Sequence, residues 1–156
     1  MNVFKDDRRI KGGSGYAVIT GDFKGFSRID KRVRRSMPKL MAEAGYELNR
    51  LISGIMPYPI SVFRGDSWQA FLNDPAYALR AAVFIRAYIR CVGMDGVLDT
   101  RMAIGIGEVD YIPDGNASAG DGPAFRCSGK MFEQMTSDRD GPLRYAFAGG
   151  SVFETL

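Results

Sequence analysis

Two aspartates, each expected at the end of a β-strand, carry the clearest chemical potential in this chain. Asp22 follows the β-rich apolar run 16–20 after a single glycine, and Asp66 lies in an Arg-Gly-Asp segment where a hairpin turn is expected. Carboxylate oxygens are the ligands that Mg²⁺ and Mn²⁺ prefer, and paired ions can activate a hydroxyl and stabilise a leaving pyrophosphate. The pattern predicts that Asp22 and Asp66 are metal ligands and catalytic residues. The alternative is that Asp22 only caps a helix.

A glycine-containing turn follows Asp22 and leads towards a helix. Backbone amides at such a position suit a triphosphate. We therefore expect the phosphates of a nucleotide to bind at five consecutive residues: Phe23, Lys24, Gly25, Phe26 and Ser27. The basic residues behind this turn either add charge to the same site or form a solvated surface.

The composition excludes several kinds of chemistry. The chain of 156 residues contains no histidine, which removes Ser-His-Asp triads, histidine general bases and the usual zinc sites. Its net charge of +3 is too small to argue for nucleic acid, which we consider an unlikely partner. No signal peptide or long apolar run is present, so we expect a cytoplasmic protein without membrane contact and with Cys91 and Cys127 reduced.

Strand and helix patterns position the two aspartates. Residues 1–15 are charged and glycine-rich and are predicted to be a disordered arm, and residues 16–156 a single domain. Apolar residues at steps of three and four predict an amphipathic helix between about Asp30 and Ile55. Because proline suits the first turn of a helix, Pro38 suggests a start near Ser36, with 28–35 as a basic lead-in.

The remaining elements complete a recognisable order. Residues 60–64 and 67–72 are predicted as hairpin strands, a second helix follows Asp74, and a strand covers 99–112. A third helix over 123–136 and a strand over 143–148 extend the chain. This order predicts an α+β fold: a ferredoxin-like βαββαβ antiparallel sheet with helices on one face, plus a short C-terminal extension. Strand one and the hairpin then bring Asp22 and Asp66 to one sheet edge.

Four segments in this order resemble motifs of the class III nucleotidyl cyclases. Residues 22–27 resemble the Asp-x-x-Gly-Phe-Thr/Ser metal motif, Gly65-Asp66 the second metal motif, 101–109 the Arg-x-Gly-Ile-x-x-Gly strand, and 120–122 a glycine-containing loop. The resemblance implies Mg²⁺ or Mn²⁺ as cofactor, a nucleoside triphosphate as ligand, and a head-to-tail homodimer with sites across its interface.

A closer resemblance is to the SatD-like family of bacterial proteins, which share the same fold. It rests on the segments 16–22, 64–69 and 124–129.

The chain departs from the cyclase pattern at four positions. The base-reading lysine and aspartate of purine cyclases fall on Val62 and Ala117, and the transition-state asparagine and arginine fall on Ala124 and Ser128. Loss of charge at the reacting phosphate removes a large catalytic term. Arg101, Arg126 or Lys130 could substitute.

Two principal hypotheses follow from the matches and the departures. One is a metal-dependent nucleotidyl cyclase that forms a cyclic nucleotide with release of pyrophosphate. The other is a non-catalytic nucleotide-binding or regulatory module on the same fold. A role with nucleic acid through the basic segment 28–35 ranks below both.

Overall fold

Five strands and three α-helices alternate along residues 15–93, 98–137 and 145–149, which are the residues that the computed structural model describes. The predicted N-terminal arm falls outside these ranges apart from Gly15, so the boundary at residue 16 stays a prediction. In chain order the elements are β1 Tyr16–Phe23, α1 Lys31–Leu51, β2 Ser61–Phe63, β3 Ser67–Leu72, α2 Ala78–Val92, β4 Thr100–Gly107, α3 Pro123–Ser137 and β5 Tyr145–Gly149.

The strands form one sheet in the order β2-β3-β1-β4-β5. The first four are antiparallel, in the order expected of a ferredoxin-like βαββαβ unit, and β5 adds to β4 in parallel. A parallel neighbour needs a crossover connection, which α3 supplies. The predicted α+β fold is therefore confirmed, and the C-terminal extension is a helix and an edge strand that widen the sheet.

Side chains of β1 alternate between two apolar cores. Ala17 and Ile19 belong to a large cluster with buried residues of α1 and α2. Val18 lies in a smaller cluster on the other face, with Phe71 and with Phe125 of α3. The period-two alternation of a strand places Asp22 on the same face as Val18 and Thr20. Helices α1 and α2 share one face as expected, whereas α3 covers part of the other.

The predicted start of α1 near Ser36 is wrong. Asp30 is the N-cap, its carboxylate accepting a hydrogen bond from the Arg32 amide at 2.7 Å, and the helix begins at Lys31 with Pro38 inside it. A proline removes one helical hydrogen bond, which costs least where the freed carbonyl faces water, and Pro38 is exposed. Buried Met37 and Met41 on either side anchor the helix to the core.

Asp74 caps a single 3₁₀ turn rather than α2 itself. Its carboxylate accepts a hydrogen bond from the Ala76 amide at 2.9 Å, and the turn Pro75–Tyr77 leads directly into α2 at Ala78. Across the described ranges, no helix combines the length and the apolar character that a membrane crossing requires.

Helix α3 lies directly against the backbone of β4 at Gly105. A Cβ atom on Gly105 would lie 2.2 Å from the Ala124 carbonyl oxygen and 2.4 Å from the Ser128 amide nitrogen. Both neighbours are backbone atoms that no rotamer change can move. The absence of a side chain at Gly105 therefore sets the separation between α3 and the sheet.

We expect Gly105→Ala to lower the free energy of unfolding by about 1–3 kcal/mol, because the added methyl group pushes α3 from the sheet. The matched control is Gly129→Ala in α3, where nothing lies within 4 Å of the added methyl. There alanine should stabilise by roughly 0.5–1 kcal/mol through its higher helix propensity. Urea unfolding followed by circular dichroism measures both, and equal midpoints would contradict the close approach.

Candidate functional site

Asp22 lies near the end of β1, opposite Ser67 of β3 and Arg101 of β4. Its backbone carbonyl accepts a hydrogen bond from the Thr100 hydroxyl at 2.6 Å, and that hydroxyl accepts one from the indole of Trp68 at 3.0 Å. Trp68 is fully buried. These contacts tie the backbone of Asp22 to the core under the sheet.

Asp66 lies beside Asp22 because the hairpin turn is bonded to the end of β1. The carbonyl oxygen of Asp66 accepts a hydrogen bond from the Phe23 amide at 3.0 Å. Arg64 and Gly65 have φ angles of 51° and 87°, in the left-handed region that a glycine adopts without strain. The structure thus brings the two predicted metal-binding segments to one sheet edge.

Arg101 is the positively charged residue that pairs with Asp22. Its Nε donates to Asp22 Oδ1 at 3.0 Å and its Nη2 to Oδ2 at 2.5 Å, a two-point ion pair. The Arg101 side chain is 31% exposed and that of Asp22 12% exposed, so the pair is partly shielded from water. The hydrogen bond to Asp22 raises the pKa of the Arg101 guanidinium; partial burial opposes this, and the charges of Asp22 and Asp66 add to it. Asp66 is therefore within electrostatic reach of Arg101.

The turn of residues 23–27 offers three of its five amides to a ligand. The Phe23 amide donates to Asp66 and the Lys24 amide to the Asp99 carbonyl at 2.9 Å, so both are occupied. The amides of Gly25, Phe26 and Ser27 have no hydrogen-bond acceptor among the described residues. If this turn binds an anion through its amides, the unoccupied ones are those of residues 25–27.

The carboxylate oxygens at this end of the sheet suit a hard divalent cation that takes its remaining ligands from water or phosphate. Among the described residues, the Asp66 carboxylate accepts one weak hydrogen bond, from the Ser67 hydroxyl at 3.4 Å. Each Asp22 oxygen accepts from Arg101 and retains a second lone pair. Across 15–93, 98–137 and 145–149, no cluster of three or more acidic or cysteine side chains could hold a metal by itself. Two carboxylates with remaining positions for water and phosphate oxygens match the usual coordination of Mg²⁺.

None of the four positions that depart from the cyclase pattern presents a free polar side chain to a ligand. Val62 is on the other face of the sheet, packed against the large core. Ala117 and Ala124 are fully buried in the small core. The Ser128 hydroxyl is buried and bonded to the Thr20 hydroxyl at 2.8 Å. Three small residues here let α3 and its preceding loop close onto the sheet.

Arg126 and Lys130, two of the residues suggested to replace the transition-state arginine, do not pair with the two aspartates. Arg126 bonds to Asp121 at 2.8 Å and lies 3.8 Å from Asp110, so its charge is already paired. Lys130 is exposed on α3. Arg101, which is paired with Asp22 and is within electrostatic reach of Asp66, is the better placed cation.

A row of polar side chains on the open sheet face was missed by sequence reasoning. The Gln69 side-chain amide donates to Thr20 Oγ1 at 3.0 Å, and Ser61 is opposite Gln69 in the strand register. Both are partly exposed and lie on the face that carries Asp22. The alternation of β2 and β3 could have indicated this row, but only the observed register aligns it with β1.

Comparisons with known proteins support the fold. No protein-family model matches the chain, and no curated protein matches it. Among solved structures, the chain is similar to the catalytic core of a rhodopsin-guanylyl cyclase with converted specificity, in complex with ATPalphaS. The two share 18% sequence identity with a TM-score of 0.50, over 76% of this chain and 71% of the other. At that identity the likeness shows that the chain has the fold of a nucleotidyl cyclase catalytic core.

Asp22→Asn should lower the free energy of unfolding by about 1–3 kcal/mol, because it leaves the partly buried Arg101 guanidinium without its counter-charge. Asp66→Asn should change it by less than about 0.5 kcal/mol, since its carboxylate makes no strong bond. Urea unfolding of both variants in metal-free buffer tests this. Equal destabilisation by the two substitutions would contradict the unequal roles.

Proposed function

We propose that this chain binds a nucleoside triphosphate together with Mg²⁺ or Mn²⁺, as a protein of the nucleotidyl cyclase type. The observation that carries the proposal is the hydrogen bond from Phe23 to Asp66, which joins the two aspartate segments beside Arg101. Asp22 and Asp66 would be the metal ligands, and the turn from Phe23 to Ser27 would contact the phosphates mainly through its last three residues.

Each group has a defined task in this proposal. The divalent ions, when bound, would neutralise phosphate charge and lower the pKa of a coordinated hydroxyl. The Lys24 side chain, half-buried and without a partner among the described residues, would supply a positive charge to the turn. Arg101 is paired to Asp22 without ligand, and its remaining donors would contact a phosphate oxygen once a metal shares the charge of Asp22.

The reaction of a cyclase at this site would be an internal displacement. The oxygen of the ribose 3′-hydroxyl would bond to the α-phosphorus, and the bond from that phosphorus to pyrophosphate would break. The hydroxyl proton would leave to water. Head-to-tail homodimers of this fold place sites at their interface, so we also propose a homodimer.

The alternative is a SatD-like nucleotide-binding or regulatory module without turnover. It is favoured by the burial of Ala117 in the loop before α3 and of Ala124 and Ser128 in α3, which leaves no free polar group at those three positions. A cyclase must stabilise charge on the reacting phosphate, and Arg101 would then have to supply that term. Binding requires less, because the phosphate and metal contacts alone suffice.

Because two carboxylates do not enclose an ion, we expect metal and nucleotide to bind together. Isothermal titration should show weak binding of Mg²⁺ alone and of nucleotide in EDTA, and tighter binding of the magnesium–nucleotide complex. Asp66→Asn should weaken that complex about tenfold or more at unchanged stability.

The matched control is Asp114→Asn, which removes the same charge from an exposed position. Asp114 has a φ of 49°, a conformation that asparagine also adopts readily. It should bind like the wild type. Equal loss in both variants, or wild-type binding that ignores the metal, would count against the site at Asp66.

Turnover separates the two functions. Incubation of the wild type with each of the four nucleoside triphosphates and Mn²⁺, followed by chromatography, should yield a cyclic nucleotide and pyrophosphate if it is a cyclase. Asp66→Asn should abolish that product. Saturable binding without product supports the non-catalytic module, and absence of both binding and product rejects both.

A further inference from the structure

We infer that Arg34 is the positioning residue of the phosphate-binding turn: it holds residues 25–27 in their binding conformation and does not itself contact the ligand. The inference rests on the proposed function and names a residue that the metal motifs do not contain. Arg34 is on α1, within the basic segment 28–35 that the sequence offered as a possible nucleic-acid surface.

The guanidinium of Arg34 is bonded to the backbone of the turn. Its Nε donates to the Ile29 carbonyl at 2.8 Å and its Nη2 to the Ser27 carbonyl at 2.8 Å. The fixed fork of an arginine suits two acceptors at once, which a lysine ammonium on a flexible stem does not reproduce. Arg34 thereby anchors the C-terminal end of the turn to the rigid helix α1.

The same guanidinium holds the aromatic residue of the turn. Its central carbon lies 4.8 Å from the centroid of the Phe26 ring, within cation–π range. The far edge of that ring packs on the hairpin, since a Cβ atom on Gly65 would lie only 3.3 Å from Phe26 Cζ. Phe26 is therefore clamped between Arg34 and the hairpin turn that carries Asp66.

This clamp has two consequences for phosphate binding. It joins the turn of Gly25–Ser27 to the segment of Asp66, so that the amides and the carboxylate keep a constant separation. It also places a positive charge on the two carbonyls at the end of the turn, whose dipoles otherwise oppose an anion. A turn that is ordered before binding loses less conformational entropy when the ligand arrives.

Arg35 offers a matched control one residue further along the helix. Its side chain is exposed, and the described structure gives that side chain no hydrogen bond, ion pair or ring contact. Arg35→Met and Arg34→Met remove the same charge from the same turn of α1. Only the second removes the contacts with Ser27, Ile29 and Phe26.

The experiment compares Arg34→Met, Arg34→Lys and Arg35→Met with the wild type. Affinity for the magnesium–nucleotide complex is measured by titration calorimetry at several salt concentrations. We expect Arg34→Met and Arg34→Lys each to weaken binding about tenfold, and Arg35→Met to stay within about twofold. The salt dependence of the affinity should be unchanged in Arg34→Met, because no ligand contact is lost.

A ligand-free measurement accompanies the titration. The amides of Arg28 and Ile29 close the turn by bonding to Gly25 and Phe26. Their hydrogen exchange should be faster in both Arg34 variants than in Arg35→Met, at equal urea midpoints.

The outcomes are distinct. Arg34→Lys that binds like the wild type, or equal losses in Arg34→Met and Arg35→Met, would show that charge alone matters and overturn the inference. Full affinity of Arg34→Met would overturn it as well. Absence of nucleotide binding by the wild type and by Arg35→Met would instead overturn the proposed function.

Discussion

The ion pair between Asp22 and Arg101 links the charge of the site to the pairing of the two central strands. The two residues are cross-strand neighbours, so the pair forms only when β1 and β4 meet in the observed register. A slip of one residue would turn Asp22 towards the large apolar core, where a carboxylate has no partner. This ion pair is partly buried at the end of the sheet, and it leaves Asp66 as the less constrained of the two carboxylates. Site chemistry and strand register therefore depend on one contact.

The two faces of the sheet differ in what they pack against. One face buries a large core beneath α1 and α2, and through Trp68 and Thr100 it fixes the backbone of Asp22. The other face carries the polar row, and there α3 packs on the sheet with its Ala124 and Ser128 buried, as is Ala117 of the preceding loop. The two aspartate segments thus meet at one end of the sheet, whereas Ala124 and Ser128, which align with the transition-state residues of cyclases, are buried in the protein. The proposed binding of a nucleotide needs no group at these two positions, whereas turnover would require Arg101 to stabilise the reacting phosphate.

Local patterns predicted the elements more reliably than their ends. The hairpin followed from two β-rich runs around Arg-Gly-Asp, and the second helix from its apolar period. The start of α1 was predicted five residues too late, from Ser36 instead of Lys31, because a proline was weighed above a capping aspartate. Packing of Met37 and Met41 compensates a missing hydrogen bond at exposed Pro38. The position of α3 on the opposite face could not be predicted, since it depends on the bare backbone of Gly105.

The amino-acid sequence by itself determined the order of strands and helices, the α+β class, and two aspartates at neighbouring turns, because these depend on side-chain periodicity and turn chemistry within short segments. The tertiary structure alone decided which groups those aspartates meet. Arg101 is 79 residues from Asp22 along the chain, and Arg34 of α1 donates to the backbone carbonyls of Ser27 and Ile29. Such contacts depend on register, helix orientation and side-chain direction, which no local pattern specifies.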